Sequence, residues 1–280
     1  MFKRITAALA ATAALLGLGS AAHAAPVIST DIIMIVDESG SMGTVQANLR
    51  NNIGLFASIL AAGGIDARFG LVGYGSGAQA NAPGPRRVTD LTTAAGFAAA
   101  AQGLVASGGT EPGYASIAFA MNELDNQNPL FSFRPNAVMN IILFTDEPSN
   151  GDGSSAAGRV GGAVVTEAIV DGLLTDNQAL FNAVLSGSST INSFGDLATD
   201  HSGQVFNLNS LNTADQSVVQ AFVTTFAEAK LQETIDFCTA NPTAPQCQGG
   251  AVPLPGTLLL AGLGLFALTP MRRRVTLSAA

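Results

Sequence analysis

Histidine and cysteine, the side chains on which most transition-metal sites and many nucleophilic catalysts depend, are almost absent from this chain. The 280 residues contain two of each and no tryptophan. His23 lies in the N-terminal leader described below, so the body keeps His201, which we predict at the surface near a helix end. No Gly-x-Ser-x-Gly elbow and no Gly-x-x-x-x-Gly-Lys phosphate loop occurs in the sequence. The chain is therefore predicted not to be an enzyme.

Basic residues are also scarce, and several of the 12 lie at the two ends, at Lys3, Arg4 and residues 272–274. The rest of the chain keeps 7 basic residues against all 20 acidic ones, which gives a net charge of −13. A surface of this charge repels the phosphates of nucleic acids and of anionic lipids. Nucleic acid is therefore excluded as a partner, whereas cations are favoured.

The N-terminal segment, residues 1–24, has the three parts of a secretory signal peptide. Lys3 and Arg4 supply a basic start, residues 5–18 form an apolar stretch, and Ala22-His23-Ala24 provides a small-residue exit. We predict cleavage after Ala24 and export of the body. A helix belonging to the fold is the alternative interpretation.

The C-terminal segment combines a proline pair, a short apolar run and a basic cluster. Pro253-Leu254-Pro255 precedes an apolar run at residues 257–268, and Arg272-Arg273-Arg274 follows it. An apolar run that ends in arginines is typical of a membrane segment with a cytoplasmic tail, although a comfortable span needs about 20 residues. We predict the membrane segment within residues 253–274 and the tail at 275–280, with a buried core helix as the alternative.

This segment resembles the PEP-CTERM sorting signal of Gram-negative bacteria, in which Pro-Glu-Pro precedes the membrane segment. Here Leu254 replaces the glutamate. The resemblance implies an exosortase-type processing enzyme as a partner. It also implies anchorage in the inner membrane facing the periplasm, followed by release to the envelope, the cell surface or an extracellular matrix. Permanent anchorage by the same segment is the alternative.

The two cysteines, Cys238 and Cys247, lie in a proline-containing stretch, residues 238–252, which we interpret as a stalk between the body and the membrane. Two cysteines this close together in an exported chain predict a local disulfide. Two free thiols are the alternative, which an oxidising compartment disfavours.

Between the leader and the stalk, residues 25–237 alternate short apolar runs with longer amphipathic ones. This alternation predicts an α/β fold, a doubly wound and mostly parallel six-stranded sheet with helices on both faces. The predicted strands are 31–36, 68–74, 87–91, 138–145, 180–185 and 204–208. The predicted helices are 45–62, 94–106, 114–125, 163–175, 193–200 and 214–236.

Oxygen-bearing side chains stand at the ends of several predicted elements. Asp37 ends the first strand, and Ser39 and Ser41 follow at alternating positions, which point the same way in extended backbone. Thr110 precedes the third helix, and Asp146 closes the fourth strand. In a doubly wound sheet the loops beyond the carboxyl ends of the strands form the ligand crevice. Hard oxygen donors in that crevice suit a small divalent cation.

In this order the five residues resemble the metal-ion-dependent adhesion site of von Willebrand factor type A domains, written Asp-x-Ser-x-Ser, then a distant Thr and a distant Asp. The similarity extends over residues 30–236. It implies a bound divalent cation, with Mg²⁺ preferred and Mn²⁺ or Ca²⁺ as alternatives. It also implies a protein partner that supplies an acidic residue to complete the coordination of the metal.

Simpler roles exist for some of these residues. Ser41 and Thr110 are also interpretable as caps of the helices that follow them. Glu38, Glu111 and Glu147 each follow a proposed ligand, and we predict them to be solvated carboxylates on the rim of the site.

The features combine in the prediction of an exported, metal-dependent binding or adhesion module of the cell envelope or an exopolysaccharide matrix. One alternative is a structural matrix protein in which the metal only stabilises the fold. A metal-dependent hydrolase is the least favoured alternative, because no base or nucleophile accompanies the site.

Overall fold

One six-stranded sheet forms the centre of the computed structural model, which describes residues 28–78 and 82–248. The strands are β1 Ile28–Asp37, β2 Ile65–Tyr74, β3 Arg86–Thr92, β4 Val138–Thr145, β5 Leu180–Leu185 and β6 Val205–Asn207. Their order across the sheet is β3-β2-β1-β4-β5-β6. β3 pairs antiparallel with β2, and the other neighbours are parallel. The predicted mostly parallel six-stranded sheet is confirmed.

Helices follow most of the strands and cover both faces of the sheet. They are α1 Gly43–Ala62, α2 Ala94–Ala100, α3 Gly113–Ala120, α4 Glu167–Asp176, α5 Ser188–Asp200 and α6 Gln216–Ala240. Each predicted helix is present, but several boundaries differ. α2 ends at Ala100, six residues before the predicted end. α3 ends earlier than predicted, because Asn122 has a φ of 69°, in the left-handed region that helices avoid. α5 begins earlier than predicted, directly after Gly187.

Burial on both faces is clearest along β1. Successive side chains of a strand point to opposite faces of the sheet. Ile32, Met34 and Val36 pack with residues of α1, α2 and α6, whereas Ile33 and Ile35 pack with residues of α3, α4 and α5. All five side chains are buried. The strand is therefore apolar on both faces, which is the pattern of a central strand in a parallel sheet.

The targeting segments predicted from the sequence, at residues 1–24 and 253–280, lie outside the described residues. Within the described ranges, no helix is long and apolar enough to span a membrane. α6 runs to Ala240, so the first residues assigned to the stalk continue the last helix. Cys238 in its final turn forms a disulfide with Cys247, and their Cα atoms are 5.1 Å apart.

The two edges of the sheet are built differently. β3 is a partly exposed strand that carries Arg86, Arg87 and Asp90. β6 has only three residues, and Val205 is exposed. Neither edge presents a long apolar strand to the solvent.

Glu38, the residue after β1, is fully buried, so its prediction as a solvated rim carboxylate was wrong. Its two carboxylate oxygens accept hydrogen bonds from Arg86 on β3, at 3.0 Å from Nε and 2.5 Å from Nη2. The N–H of Val105 donates to Oε1 at 2.9 Å. The backbone of Glu38 also pairs with Tyr74 and Ser107. Glu38 thus fixes the end of β1 to β2, β3 and the loop before α3.

We expect Arg86→Ala to destabilise the fold strongly. The substitution leaves the Glu38 carboxylate buried without its basic partner, and breaking a buried ion pair from one side costs about 3 kcal/mol or more. Equilibrium unfolding in urea measures the loss. Arg87→Ala is the matched control, because the ion pair of Arg87 with Asp90 is longer, at 3.4 Å, and more exposed; we expect it to cost less than about 1 kcal/mol. Equal losses in the two variants would contradict this role of Glu38.

Candidate functional site

The predicted site residues gather beyond the carboxyl ends of β1 and β4, the two central strands. The chain leaves β1 toward β2 on one side and continues from β4 to β5 on the other. This reversal creates a crevice between the loops that follow the two strands, which is where doubly wound sheets bind ligands.

Asp37 is the innermost residue of the site and is fully buried. Its Oδ1 accepts a hydrogen bond from the backbone N–H of Ser39 at 2.6 Å, and its Oδ2 accepts one from the Thr145 hydroxyl at 2.8 Å. The register pairs Val36 with Phe144, so Thr145 lies beside Asp37. These two bonds hold the carboxylate in place at the end of its strand. Thr145 was not among the predicted site residues, although the register of the two neighbouring strands places it beside Asp37.

The two serines link the loop after β1 to the loop after β4. The hydroxyls of Ser39 and Ser41 are 3.1 Å apart, and the Ser41 hydroxyl donates to Asp146 Oδ1 at 3.1 Å. Neither the 3₁₀ turn at Gly40–Met42 nor α1 has a side-chain cap at its N-terminus. The hydroxyl of Ser41 therefore contacts the neighbouring loop, and its interpretation as a helix cap was wrong. Four of the five predicted ligands, Asp37, Ser39, Ser41 and Asp146, form one connected group.

Thr110 reaches the same crevice from the loop before α3 and is exposed. A Cβ on Gly151 would lie 2.4 Å from the Thr110 methyl, so the loop after β4 approaches Thr110 this closely only because residue 151 is glycine, with a φ of 78°. Among the described residues, no hydrogen bond joins the Thr110 hydroxyl to the other four predicted ligands. Thr110 is not the cap of α3 either, because the N–H groups of Tyr114 and Ala115 bond to Ser149 and Asp152.

Glu111, the neighbour of Thr110, is fully buried, so its prediction as a solvated rim residue was wrong. Oε2 accepts a hydrogen bond from the Asn150 side chain at 2.8 Å, and the backbone groups of Glu111 bond to the same asparagine. Oε1 is buried without a hydrogen-bond partner among the described residues. Glu147 is partly exposed, which is compatible with its predicted position at the rim. No local sequence pattern predicts that Glu111 is buried, because its hydrogen-bond partner Asn150 is 39 residues away in the chain.

The carboxyl groups of the site repel one another. Burial raises the pKa of Asp37 to about 6, and nearby Asp146 adds to the increase, against the hydrogen bonds from Ser39 and Thr145. Burial also raises the pKa of Glu111 to about 7, with smaller contributions from Glu147 and Asp37 against the hydrogen bond from Asn150. Within the described part of the chain, every salt bridge involves other acidic residues. The negative charge of the crevice therefore has no basic side chain paired with it there.

The donor set fits a divalent cation bound by oxygen. Two carboxylates and the serine hydroxyls converge, with the Thr110 hydroxyl on the adjoining loop, and hard oxygen donors of this kind suit Mg²⁺ or Ca²⁺. Among the described residues, no group of three or more His, Cys, Asp or Glu side chains is placed to hold a metal ion by itself. Any cation bound at this edge therefore needs the hydroxyl groups as well as the carboxylates.

His201 lies away from this crevice. It follows α5, as predicted, but its side chain is largely buried rather than on the surface, and Nε2 is 2.9 Å from Asp171 on α4. The site thus has hydroxyl and carboxylate groups but no histidine base.

The match to a protein family agrees with this architecture. A family model described as von Willebrand factor type A domain matches residues 31–221. One similar solved structure is a von Willebrand factor type A protein from Catenulispora acidiphila, with 18% identity, a TM-score of 0.46, and coverage of 71% of this chain and 43% of that chain. Another is proximal thread matrix protein 1 from the mussel byssus, with 15% identity and a TM-score of 0.46. The match covers 71% of this chain and 47% of that chain. The chain matches less than half the length of either protein. No curated protein matches the chain.

The free energy of unfolding of the metal-free protein is expected to fall as the pH rises from about 4 to about 7. The pKa values of Asp37 and Glu111 in the fold, about 6 and about 7, exceed the ordinary values of 3.8 and 4.5. In this window the folded state therefore binds more protons than the unfolded state. This contribution to stability is fully present below about pH 4 and is lost as the pH rises through the two raised values.

Urea unfolding at a series of pH values in EDTA measures this dependence. Asp37→Asn is the informative variant, because the amide removes one of the two titrating groups. The free energy of unfolding of this variant should therefore fall less steeply as the pH rises. A wild-type profile that coincides with that of Asp37→Asn would contradict the proposed electrostatics.

Proposed function

Because this chain belongs to the von Willebrand factor type A family, we propose that its body is a metal-dependent binding module that captures an acidic residue of a partner protein. The hydrogen-bonded group of Asp37, Ser39, Ser41 and Asp146 carries the proposal, since it joins the loops after β1 and β4 around oxygen donors. We propose these four residues and Thr110 as the metal-ion-dependent adhesion site.

The charge balance of the five residues suits capture of a carboxylate. Two carboxylates give a formal charge of −2, and the remaining donors are neutral hydroxyls. A divalent cation held this way supplies an electrophilic point at which a partner's Asp or Glu can bind. Mg²⁺ is the proposed ion, since it accepts a few hard oxygen ligands and commonly keeps water at other positions; Mn²⁺ and Ca²⁺ are the alternatives.

Hydrogen bonds already hold the innermost proposed ligand in place in the absence of a partner. Asp37 is fixed by Thr145 and the Ser39 N–H, and the amide of Gln46 on α1 donates to the Asp37 carbonyl at 3.1 Å. Such preorganisation reduces the free energy that must be spent on ordering side chains when a ligand binds. A binding role is also supported by the distance of His201 from the crevice, since the donor group has no histidine base beside it.

We also propose that the module works outside the cytoplasm, in the envelope or an exopolysaccharide matrix. The leader at residues 1–24 and the segment at 253–274 support export, membrane anchorage and processing by an exosortase-type enzyme. The disulfide between Cys238 and Cys247 supports an oxidising compartment, because structural disulfides persist there.

Asp37→Ala or Asp146→Ala should abolish Mg²⁺-dependent capture of the partner while the helix and strand content is retained. Each variant removes one of the two carboxylates that would hold the ion. Pull-down from envelope or matrix extracts, with Mg²⁺ against a chelator, measures capture, and circular dichroism checks the fold. Glu167→Ala, at an exposed position in the first turn of α4, is the control and should capture the partner as the wild type does.

Two outcomes would decide against the proposal. Capture of the same proteins with Mg²⁺ and with the chelator would show that binding does not need the metal. Stabilisation of the fold by Mg²⁺ with no captured protein would favour the structural role, in which the ion holds the three loops together and binds no partner.

A further inference from the structure

Glu111 is a buried carboxylate with one unused oxygen at the edge of the proposed cation site. The side chain has no exposed surface, and Oε1 has no hydrogen-bond partner among the described residues. Burying a charged oxygen without a partner is costly. The hydrogen bonds among the described residues therefore leave the placement of Oε1 unexplained.

Glu111 and Asp37 lie against the same small space. A Cβ placed on Gly75 would be 3.3 Å from Glu111 Cγ and 3.4 Å from Asp37 Oδ1. Gly75 has a φ of 82°, so glycine is favoured there by backbone conformation as well as by space. The carboxyl of Glu147 approaches Glu111 from the loop after β4. The Glu111 side chain thus lies beside the crevice that contains the proposed ligands.

The backbone holds Glu111 in this position. Its N–H donates to Asn150 Oδ1 at 3.1 Å, and its carbonyl accepts from the N–H groups of Asn150 and Gly113, each at 2.8 Å. With Asn150 also bonded to Oε2, the side chain is constrained at one oxygen while the other stays available. A carboxylate held this way is preorganised to accept one further hydrogen bond within the site.

Basic side chains do not explain the placement. In the described ranges, the arginines and the lysine that form salt bridges pair with Glu38, Asp90, Asp31, Asp66 and Glu233. The negative charge of Glu111 is added to a group of carboxylates that already repel one another. A bound cation, or water polarised by one, turns that repulsion into attraction.

We propose that Glu111 is a positioning residue of the cation site, whose free Oε1 accepts a hydrogen bond from water on the ion and so increases the affinity for divalent cations. The inference rests on the proposed function, because it requires an ion at the site. It goes beyond the five-residue motif by adding a negative charge that acts on the ion without touching it. Among the described residues, no cluster of three carboxylates could bind a metal alone, which is compatible with this indirect role.

The test uses the purified full-length chain, with titration calorimetry of Mg²⁺ and of Ca²⁺ and thermal melting in EDTA. In Glu111→Gln the side chain keeps its size and can still accept from Asn150, but loses its charge. We expect its dissociation constants for divalent cations to rise ~10-fold or more, as for other residues that act on a metal through its bound groups. Its Tm in EDTA should rise, because the variant relieves repulsion in the metal-free state.

Control variants separate this role from a general effect of charge or a purely structural one. Glu167→Gln removes one negative charge at an exposed position of α4 and should leave both dissociation constants unchanged. Glu111→Asp keeps the charge on a shorter side chain and should recover part of the affinity lost in Glu111→Gln. If both Glu111 variants lower the Tm in EDTA and bind cations equally weakly, the residue is structural and the inference is overturned.

Failure of the proposed function gives a different result from failure of this inference. If the wild type binds neither cation, the metal site itself is refuted. If the wild type binds, Asp37→Ala does not, and Glu111→Gln binds as the wild type does, then the site stands and the inference about Glu111 alone is overturned.

Discussion

The burial of the Asp37 carboxylate is the constraint on which the rest of the site depends. A carboxylate with no exposed surface must be hydrogen-bonded, and its two partners come from different places: the turn that follows it and the end of β4. This requirement fixes β4 beside β1 with Thr145 at the level of Asp37. It also makes the chain turn immediately after Asp37, so that Ser39 and Ser41 face Asp146. The reversal of strand connection between β1 and β4 opens the crevice, and the hydrogen bonds of this one buried carboxylate fix its innermost side chain.

The loops around the crevice are held from outside it as well. Glu38 anchors the end of β1 to Arg86, and its carbonyl accepts from Ser107 in the loop before α3. Glu111 in turn is bonded through its backbone to Asn150 in the loop after β4. Hydrogen bonds therefore join the loop after β1 to the loop before α3, and that loop to the loop after β4. Each connection involves a buried acidic residue, Glu38 or Glu111. The same acidic residues therefore supply negative charge around the site and hydrogen bonds that hold its loops together.

The strands, and the meeting of Asp37, Ser39, Ser41 and Asp146 at one edge of the sheet, could be predicted from the sequence because their signals are local. Apolar runs mark β1 and β4, and the residue that ends each strand is a polar group at a known position in this class of fold. The burial of Glu38 and Glu111 could not be predicted, because Arg86 and Asn150 are 48 and 39 residues away in the chain. The early end of α3 depends on the left-handed backbone at Asn122, which its surrounding helical pattern conceals. Where the deciding partner is distant, residue type alone gave the wrong exposure.

The edge strands of the sheet affect how neighbouring copies of the molecule can associate. A parallel sheet with open sides is a template for continuous stacking of neighbouring copies, strand against strand. Here one side ends in β3, whose two adjacent arginines and Asp90 oppose such stacking, and the other ends in a strand of three residues. In the described part of the chain, two copies therefore have no long apolar edge strand through which their sheets could join.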